Sequence, residues 1–148
     1  MIKLEDYIPI VGQSVIDDLR LVASRLKGKI IQHINSTSVG GGVAEILNRM
    51  VPILQELGVD ARWDLIKGGE QFFEVTKKFH NALHARPQEI TKRDFEIFLE
   101  TSQNNIEEVE TYGDIVFVHD PQPLALVKKR KKNKWIWRCH VDVSNPNE

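Results

Sequence analysis

The chain has 148 residues, with 20 Lys plus Arg against 21 Asp plus Glu and a formal net charge of −1. That length suits one domain with a real core, and nothing in the charge balance calls for nucleic acid or an anionic membrane. A single cysteine, Cys139, excludes an internal disulfide framework, and no apolar run approaches the ~20 residues of a membrane span. Acidic Glu5 and Asp6 do not suit a signal peptide, so a cytoplasmic chain in a reducing compartment is expected.

Met1 to Gly12 reads as a mixed lead-in, with Pro9 and Gly12 as breakers. Val15, Ile16, Leu19, Val22, Ala23 and Leu26 then mark an amphipathic helix that covers a sheet and closes at Gly28. Lys29 to Asn35 carries β-branched Ile30, Ile31 and Ile34, which predicts a buried strand. Short polar residues follow to Ser38, and then come Gly40, Gly41 and Gly42. Val43, Ile46, Leu47, Met50, Val51, Leu54 and Leu57 form a helical stripe, and Gly58 stands where a C′ glycine belongs. The free N–H groups and positive dipole end of that helix suit an anion or polar ligand, and glycines let a ligand approach the backbone. The plain alternative is a tight turn with no ligand.

A second strand is predicted over Val59 to Ile66, with Ala61, Trp63 and Leu65 alternating against Arg62 and Asp64. After Gly68 and Gly69, the spacing of Phe72, Val75, Thr76, Phe79 and Leu83 predicts a helix that ends before Pro87. Thr91 to Asp94 resembles a capping box opening a helix with Phe95, Phe98, Leu99 and Ile106. Asp114 to Val118 reads as a fully buried strand ending in His119-Asp120-Pro121-Gln122-Pro123. Leu124 to Arg130 is a short helix with a basic tail, Lys128 to Lys132, read as a solvated helix end. Trp135 to Cys139 is the last strand, followed by His140, Val141 and Asp142.

Strands alternating with helices imply an α/β fold with a mostly parallel sheet covered on both faces. Ligands of such sheets bind outside the carboxyl ends of the strands. Three predicted strands place polar groups there: Asn35 to Gly42, His119 to Gln122, and His140 with Asp142. Each alone reads as an ordinary loop; their convergence predicts a binding crevice.

The glycine turn does not complete a dinucleotide fingerprint. Glu45 stands where the third glycine should be and is expected to hinder close helix–strand packing. No Gly-Lys-Ser/Thr follows, so a Walker site is excluded too. His80 and His84 share a helix face, but no third metal ligand is local, and no metal is expected. His80 with Asn81 reads either as a sugar contact or as a satisfied interior pair. Asp120 precedes a proline, which biases it toward an extended turn. Arg138 lies among Trp135 and Trp137; it either points inward and needs an anion, or faces outward on an edge strand.

Ser-Thr-Ser-Val-Gly-Gly-Gly-Val-Ala-Glu-Ile-Leu, Leu-Gly-Val-Asp-Ala-Arg-Trp, Phe-Phe-Glu-Val-Thr-Lys-Lys-Phe-His-Asn-Ala-Leu, His-Asp-Pro-Gln-Pro and Trp-Ile-Trp-Arg-Cys-His-Val-Asp follow one another in order. Together they resemble the trehalose glycosyltransferring synthases of archaea and bacteria and the related trehalose phosphorylases, which are retaining family 4 glycosyltransferases. The resemblance spans nearly the whole chain. It implies one Rossmann-like half of a GT-B fold: the acceptor-side, N-terminal domain, without the donor-binding C-terminal domain.

The resemblance also implies roles. Gly41 and Gly42 approach the donor phosphates or the transferred sugar. Asp120, His119 and Gln122 contact sugar hydroxyls, and His140 sits beside the transferred glucose, so Asp120 and His140 stand as the catalytic candidates. His80, Asn81, Arg138 and Asp142 fall in motifs like the family's and join the substrate-binding set. No cofactor is implied. The partners implied are a glucose-like acceptor and a nucleotide-glucose or glucose phosphate donor shared with the other half. Alone, the chain is expected to be inactive and to self-associate through its exposed cleft face. A non-catalytic sugar- or nucleotide-binding module, or a subunit completing a split enzyme, is the alternative. A nicotinamide-dependent oxidoreductase is weaker still, because the glycine pattern is broken.

Overall fold

A computed structural model describes residues 3–146. The lead-in, apart from Met1 and Ile2, which lie outside the described residues, is helical: a 3-10 turn, Leu4–Tyr7, runs into the short α1, Ile8–Val11. Gly12, with φ of 84°, turns the chain into α2, Gln13–Ser24. Then come β1 (Ile30–Asn35), α3 (Gly42–Glu56), β2 (Asp60–Leu65), α4 (Glu70–Leu83) and α5 (Lys92–Glu108). β3 (Ile115–His119), a 3-10 helix (Leu124–Lys129) and β4 (Lys134–Arg138) complete the order. Among the described residues no helix is long and apolar enough to cross a membrane.

The four strands form one all-parallel sheet in the order β2-β1-β3-β4. This is the Rossmann-like α/β arrangement expected from alternating strands and helices, and it brings every carboxyl end to one edge. Side chains alternate across it. Ile31 and Ala61 face a core shared with Leu47 and Val51 of α3 and Ala23 of α2. Ile34, Val116 and Val118 face the opposite core, with Phe72 of α4, Leu126, and Phe98 and Ile106 of α5. Burying each fully covered Val, Leu, Ile or Phe side chain here is worth ~1.5–3 kcal/mol.

Several sequence expectations are corrected. α2 covers the sheet with only part of its stripe: Ile16 and Ala23 are buried, while Val15, Leu19 and Val22 remain 41–55% exposed. β2 is an edge strand, so Leu65 at its end is exposed and Ile66, one residue on, takes the buried place. On α5, Phe95 and Leu99 face outward, and polar Asp94, Ser102 and Asn105 are buried. The capping box holds: Asp94 N–H donates to the Thr91 hydroxyl, and Thr91 N–H donates to the Asp94 carboxylate. Glu45 does not obstruct packing, because it points off the packed face while Ala44 and Leu47 are buried.

The central strand is not uniformly apolar. Gln32, His33 and Asn35 of β1 are buried beside Ile31 and Ile34. Gln32 pays for its burial with a complete set of partners. Its amide nitrogen donates to Asp64 Oδ2 at 2.8 Å and to the Glu110 carbonyl at 2.9 Å. Its oxygen accepts from the N–H groups of Tyr112 and Gly113 at 3.1 and 3.2 Å. A Cβ at Gly113 would stand 2.7 Å from Gln32 Cβ, so glycine is required for this approach. Gln32 thereby ties the α5–β3 connection to the middle of the sheet.

Replacing Gln32 with Leu removes four hydrogen bonds, leaving the buried Gly113 N–H and the half-buried bonding groups of Glu110 and Tyr112 without this partner. A loss of about 2–4 kcal/mol is expected, read in urea unfolding as a lower midpoint at unchanged m-value. An unchanged midpoint would show that water satisfies those groups equally well.

Candidate functional site

At the carboxyl edge of the sheet, β1, β3 and β4 each run into a polar loop. The strand termini and the amino end of α3 enclose a cleft of about 440 Å³. Its lining includes Asn35, Ser36 and Thr37 after β1, Gly40 to Ala44 at the start of α3, and Ile46 one turn on, with Val39 absent from the lining. His80 of α4, Asp120 and Gln122 after β3, and His140 and Val141 after β4 complete it.

The glycine run divides its labour. Gly40 and Gly41 have φ of 72° and 84°, a region that side chains disfavour. Gly42 carries no such requirement, and a Cβ on it would meet, among the described residues, no atom within 4 Å beyond its chain neighbours and its own helix backbone. Gly41 is the N-cap of α3 and no side chain caps the helix. The first N–H groups of α3 are therefore left at the wall of the cleft, with the positive end of the dipole behind them. The loop before them is braced by Thr37 Oγ1, which bonds both backbone groups of Val39, and by Asn48, which donates to the Ser38 carbonyl.

Asp120 knots the opposite wall. Its φ of 65° is left-handed, not the extended turn expected for a residue before proline. That conformation lets its N–H donate to the Arg138 carbonyl at 2.9 Å, while its own carbonyl accepts from the Trp137 indole at 3.0 Å. Its carboxylate Oδ1 accepts from the His140 backbone N–H at 2.6 Å. Gln122 contributes an amide oxygen that is buried with no partner among the described residues. A buried acceptor left unmet beside a cleft calls for a hydrogen-bond donor.

Of the residues singled out in the sequence, Gly41, Gly42, His80, Asp120, Gln122 and His140 meet in this cleft. The other four stand outside its lining. His119 is fully buried behind it. Asn81 turns to Gln88 at 3.2 Å. Arg138 is exposed on the edge strand, which decides for the outward reading. Asp142 is exposed and accepts from the Ser144 N–H and hydroxyl. His80 and His84 stack at 4.7 Å, and among the described residues no three potential ligands gather to hold a metal.

Motif reading passed over His33. Its Nδ1 lies 3.1 Å from His119 Nε2, and His119 Nδ1 lies 3.0 Å from His140 Nε2. Three imidazoles thus run from the sheet interior to the cleft. Burial holds the pKa of His33 down to about 4. Burial, and then the neighbouring His33 and His140, hold His119 down to about 3. His80 is also lowered, by desolvation and then by His84. The available signal for His33 was a lone histidine inside an isoleucine-rich strand, which needs a buried partner.

These shifts give a pH dependence with a definite sign. Unfolded histidine takes up its proton near 6.5, whereas His33 and His119 in the fold resist until about 4 and about 3. Between those limits the unfolded state binds more protons, so stability is complete above pH 6.5 and falls as the pH drops. Unfolding free energy should decline between pH 7 and pH 5 by on the order of 1 kcal/mol per pH unit for each fully differential group. Equal denaturation midpoints at pH 7 and pH 5 would contradict the burial of these two rings as neutral groups.

The comparisons with known proteins bear on this cleft. Residues 33–148 match the family model of the trehalose synthase N-terminal domain. The chain is 45% identical to a trehalose synthase of Thermococcus litoralis, across 98% of this chain and 36% of that protein. It is 44% identical to one of Rubrobacter xylanophilus, across 97% and 36%. A trehalose phosphorylase of Pleurotus sajor-caju is 28% identical across 96% of this chain and 21% of that protein. The chain thus spans 36% of the length of the trehalose synthases it matches, and it belongs to the family of trehalose synthase N-terminal domains.

Proposed function

We propose that this domain is the acceptor-side half of a retaining glycosyltransferase that forms trehalose from glucose and a nucleotide-glucose or glucose phosphate. The observation that carries the reading is the pairing of two unlike walls across one cleft. The uncapped N-terminus of α3, behind Gly41 and Gly42, offers N–H donors and a positive dipole end. Asp120, Gln122, His140 and His80 face them with groups that recognise hydroxyls.

The reaction breaks the anomeric C–O bond to the donor phosphate and forms one to the anomeric hydroxyl of the acceptor glucose. The acceptor's proton leaves with the phosphate oxygen. Negative charge grows on the phosphate as that bond breaks, and helix N–H groups stabilise it without reorganisation. Asp120 and Gln122 hold sugar hydroxyls, and His140, whose backbone is pinned by Asp120, lies beside the transferred glucose. Closure by a donor-binding half excludes water. Exposed Val39 in the bordering loop and exposed Ile46 in the lining are apolar side chains that such a half would cover. Alone, the domain binds sugar and transfers nothing.

The decisive experiment assays the chain with glucose and a panel of nucleotide-glucoses, with and without a cognate donor-domain polypeptide. Trehalose formed only when both pieces are present is the expected result. Turnover by the chain alone would refute the inactive-half reading. Calorimetric sugar binding without turnover in either case would make the domain a non-catalytic sugar-binding module.

Gly42→Ala separates ligand access from folding. At this first helical position alanine should leave stability unchanged or raise it by up to ~1 kcal/mol. Its methyl group enters the cleft and should weaken phosphate-bearing ligands about tenfold, the equivalent of ~1.4 kcal/mol. Unchanged affinity would remove Gly42 from the ligand site.

A further inference from the structure

His140 lines the cleft and turns its Nε2 toward His119, so its other ring nitrogen, Nδ1, is the one left for a ligand. His140 Nε2 is 3.0 Å from His119 Nδ1, and His119 Nε2 is 3.1 Å from His33 Nδ1. Among the described residues the one ring contact of His140 by hydrogen bond is that of Nε2, and Nδ1 is not one of the buried unmet atoms. A neutral imidazole has one donor and one acceptor, so each N···N contact holds one proton. Three neutral rings in series then have two arrangements. In one, every proton points toward the cleft: His33 Nδ1–H donates to His119, His119 Nδ1–H donates to His140, and His140 keeps its proton on Nδ1. In the other, every proton points inward, and His33 must carry its N–H on Nε2.

The closed end decides between them. His33 Nε2 is buried with no hydrogen-bond partner among the described residues. In the inward arrangement it is a buried N–H without an acceptor, the rarest kind of unmet group in folded proteins. In the outward arrangement it is only an unused lone pair. Trp63 lies opposite His33 in the β1–β2 register, and its indole N–H is also buried without a partner among the described residues. Indole is a donor only. A lone pair on His33 suits a neighbourhood that already holds one unmatched donor, whereas a second N–H adds another. Protonating the chain does not escape this choice, because burial keeps His33 and His119 neutral near pH 7.

We propose that the imidazole chain is polarised toward the cleft, and that His119 is a positioning residue holding His140 as the Nδ1–H tautomer, a hydrogen-bond donor to an oxygen of the bound ligand. This is the opposite of the Nε2–H form that free imidazole side chains favour in water. It also bars His140 from acting as a base at Nδ1. Only the identity of the ligand rests on the glycosyltransferase reading; the tautomer does not.

Long-range proton–nitrogen NMR spectra of the whole chain at pH 7.5 test it. The expected pattern is a protonated Nδ1 and a bare Nε2 on all three rings. A protonated His140 Nε2, as the other tautomer or as an imidazolium, overturns the proposal. His119→Asn keeps an amide donor for His140 Nε2 and should preserve the Nδ1–H form. His119→Leu removes it, and His140 should revert to Nε2–H; a folded Leu variant that keeps Nδ1–H refutes the positioning role. If the Leu variant does not fold, the parent spectrum and the Asn variant decide. Glucose and inorganic phosphate are then added separately. A moved Nδ1 resonance with glucose assigns the acceptor to a hydroxyl, and one with phosphate assigns it to a phosphoryl oxygen. No response to either, with the tautomer as expected, leaves the polarised chain standing and rejects the sugar-phosphate reading of the cleft.

Discussion

Parallel pairing of β1 with β3 is the constraint on which the rest of the molecule depends. The ladder runs from Ile31 opposite Ile115 to Ile34 opposite Val118. It sets the faces of both cores, because a slip of one residue would turn every apolar side chain of the strand to the wrong side. It also sets His33 opposite Phe117, two residues short of His119, so that the two buried imidazoles meet across the strands. Asn35 and His119 end their strands at the same edge, and the cleft opens there. Gln32 fixes the other side of this arrangement by satisfying backbone groups of the chain leading into β3.

The cleft then follows from two loops that fail to continue their elements in ordinary ways. Gly40 and Gly41 turn β1 into α3 with left-handed backbone and leave the helix end uncapped. Asp120 turns β3 outward, also left-handed, and collects the strand beside it through three hydrogen bonds. One wall offers backbone donors; the other carries a carboxylate, an unmet amide oxygen and an imidazole. A left-handed non-glycine residue is costly in isolation, on the order of 1 kcal/mol or more. Its three partners show why it persists here.

Much of the cleft lining was legible beforehand. The glycine run, the His-Asp-Pro-Gln-Pro turn and the residues after β4 are polar groups placed after apolar strands, and strand–helix alternation implies that those ends share an edge. Gly41, Gly42, Asp120, Gln122 and His140 were reached in that way. Four named residues stand apart, for local reasons that spacing does not reveal. Asn81 is captured by the loop after its own helix, and Asp142 by the serine two residues on. Arg138 lies on the edge strand, and His119 points into the sheet face instead of the cleft. The apolar stripe of α2 misled in another sense: periodicity records which residues share a face and not whether anything covers it.

The sequence by itself determined the alternation of elements, their caps and breakers, the parallel sense of the sheet and the family to which the chain belongs. These are local or nearly local properties: hydrophobic period, glycine at positive φ, and the capping box at Thr91. Only the tertiary structure decided which polar side chains meet. His33, His119 and His140 are separated by 86 and 21 residues, and no pattern along the chain relates them. Their juxtaposition depends on strand order and register, which pair distant segments through backbone hydrogen bonds that every residue but proline can make. Whether a buried polar group is satisfied is therefore a property of the assembled sheet.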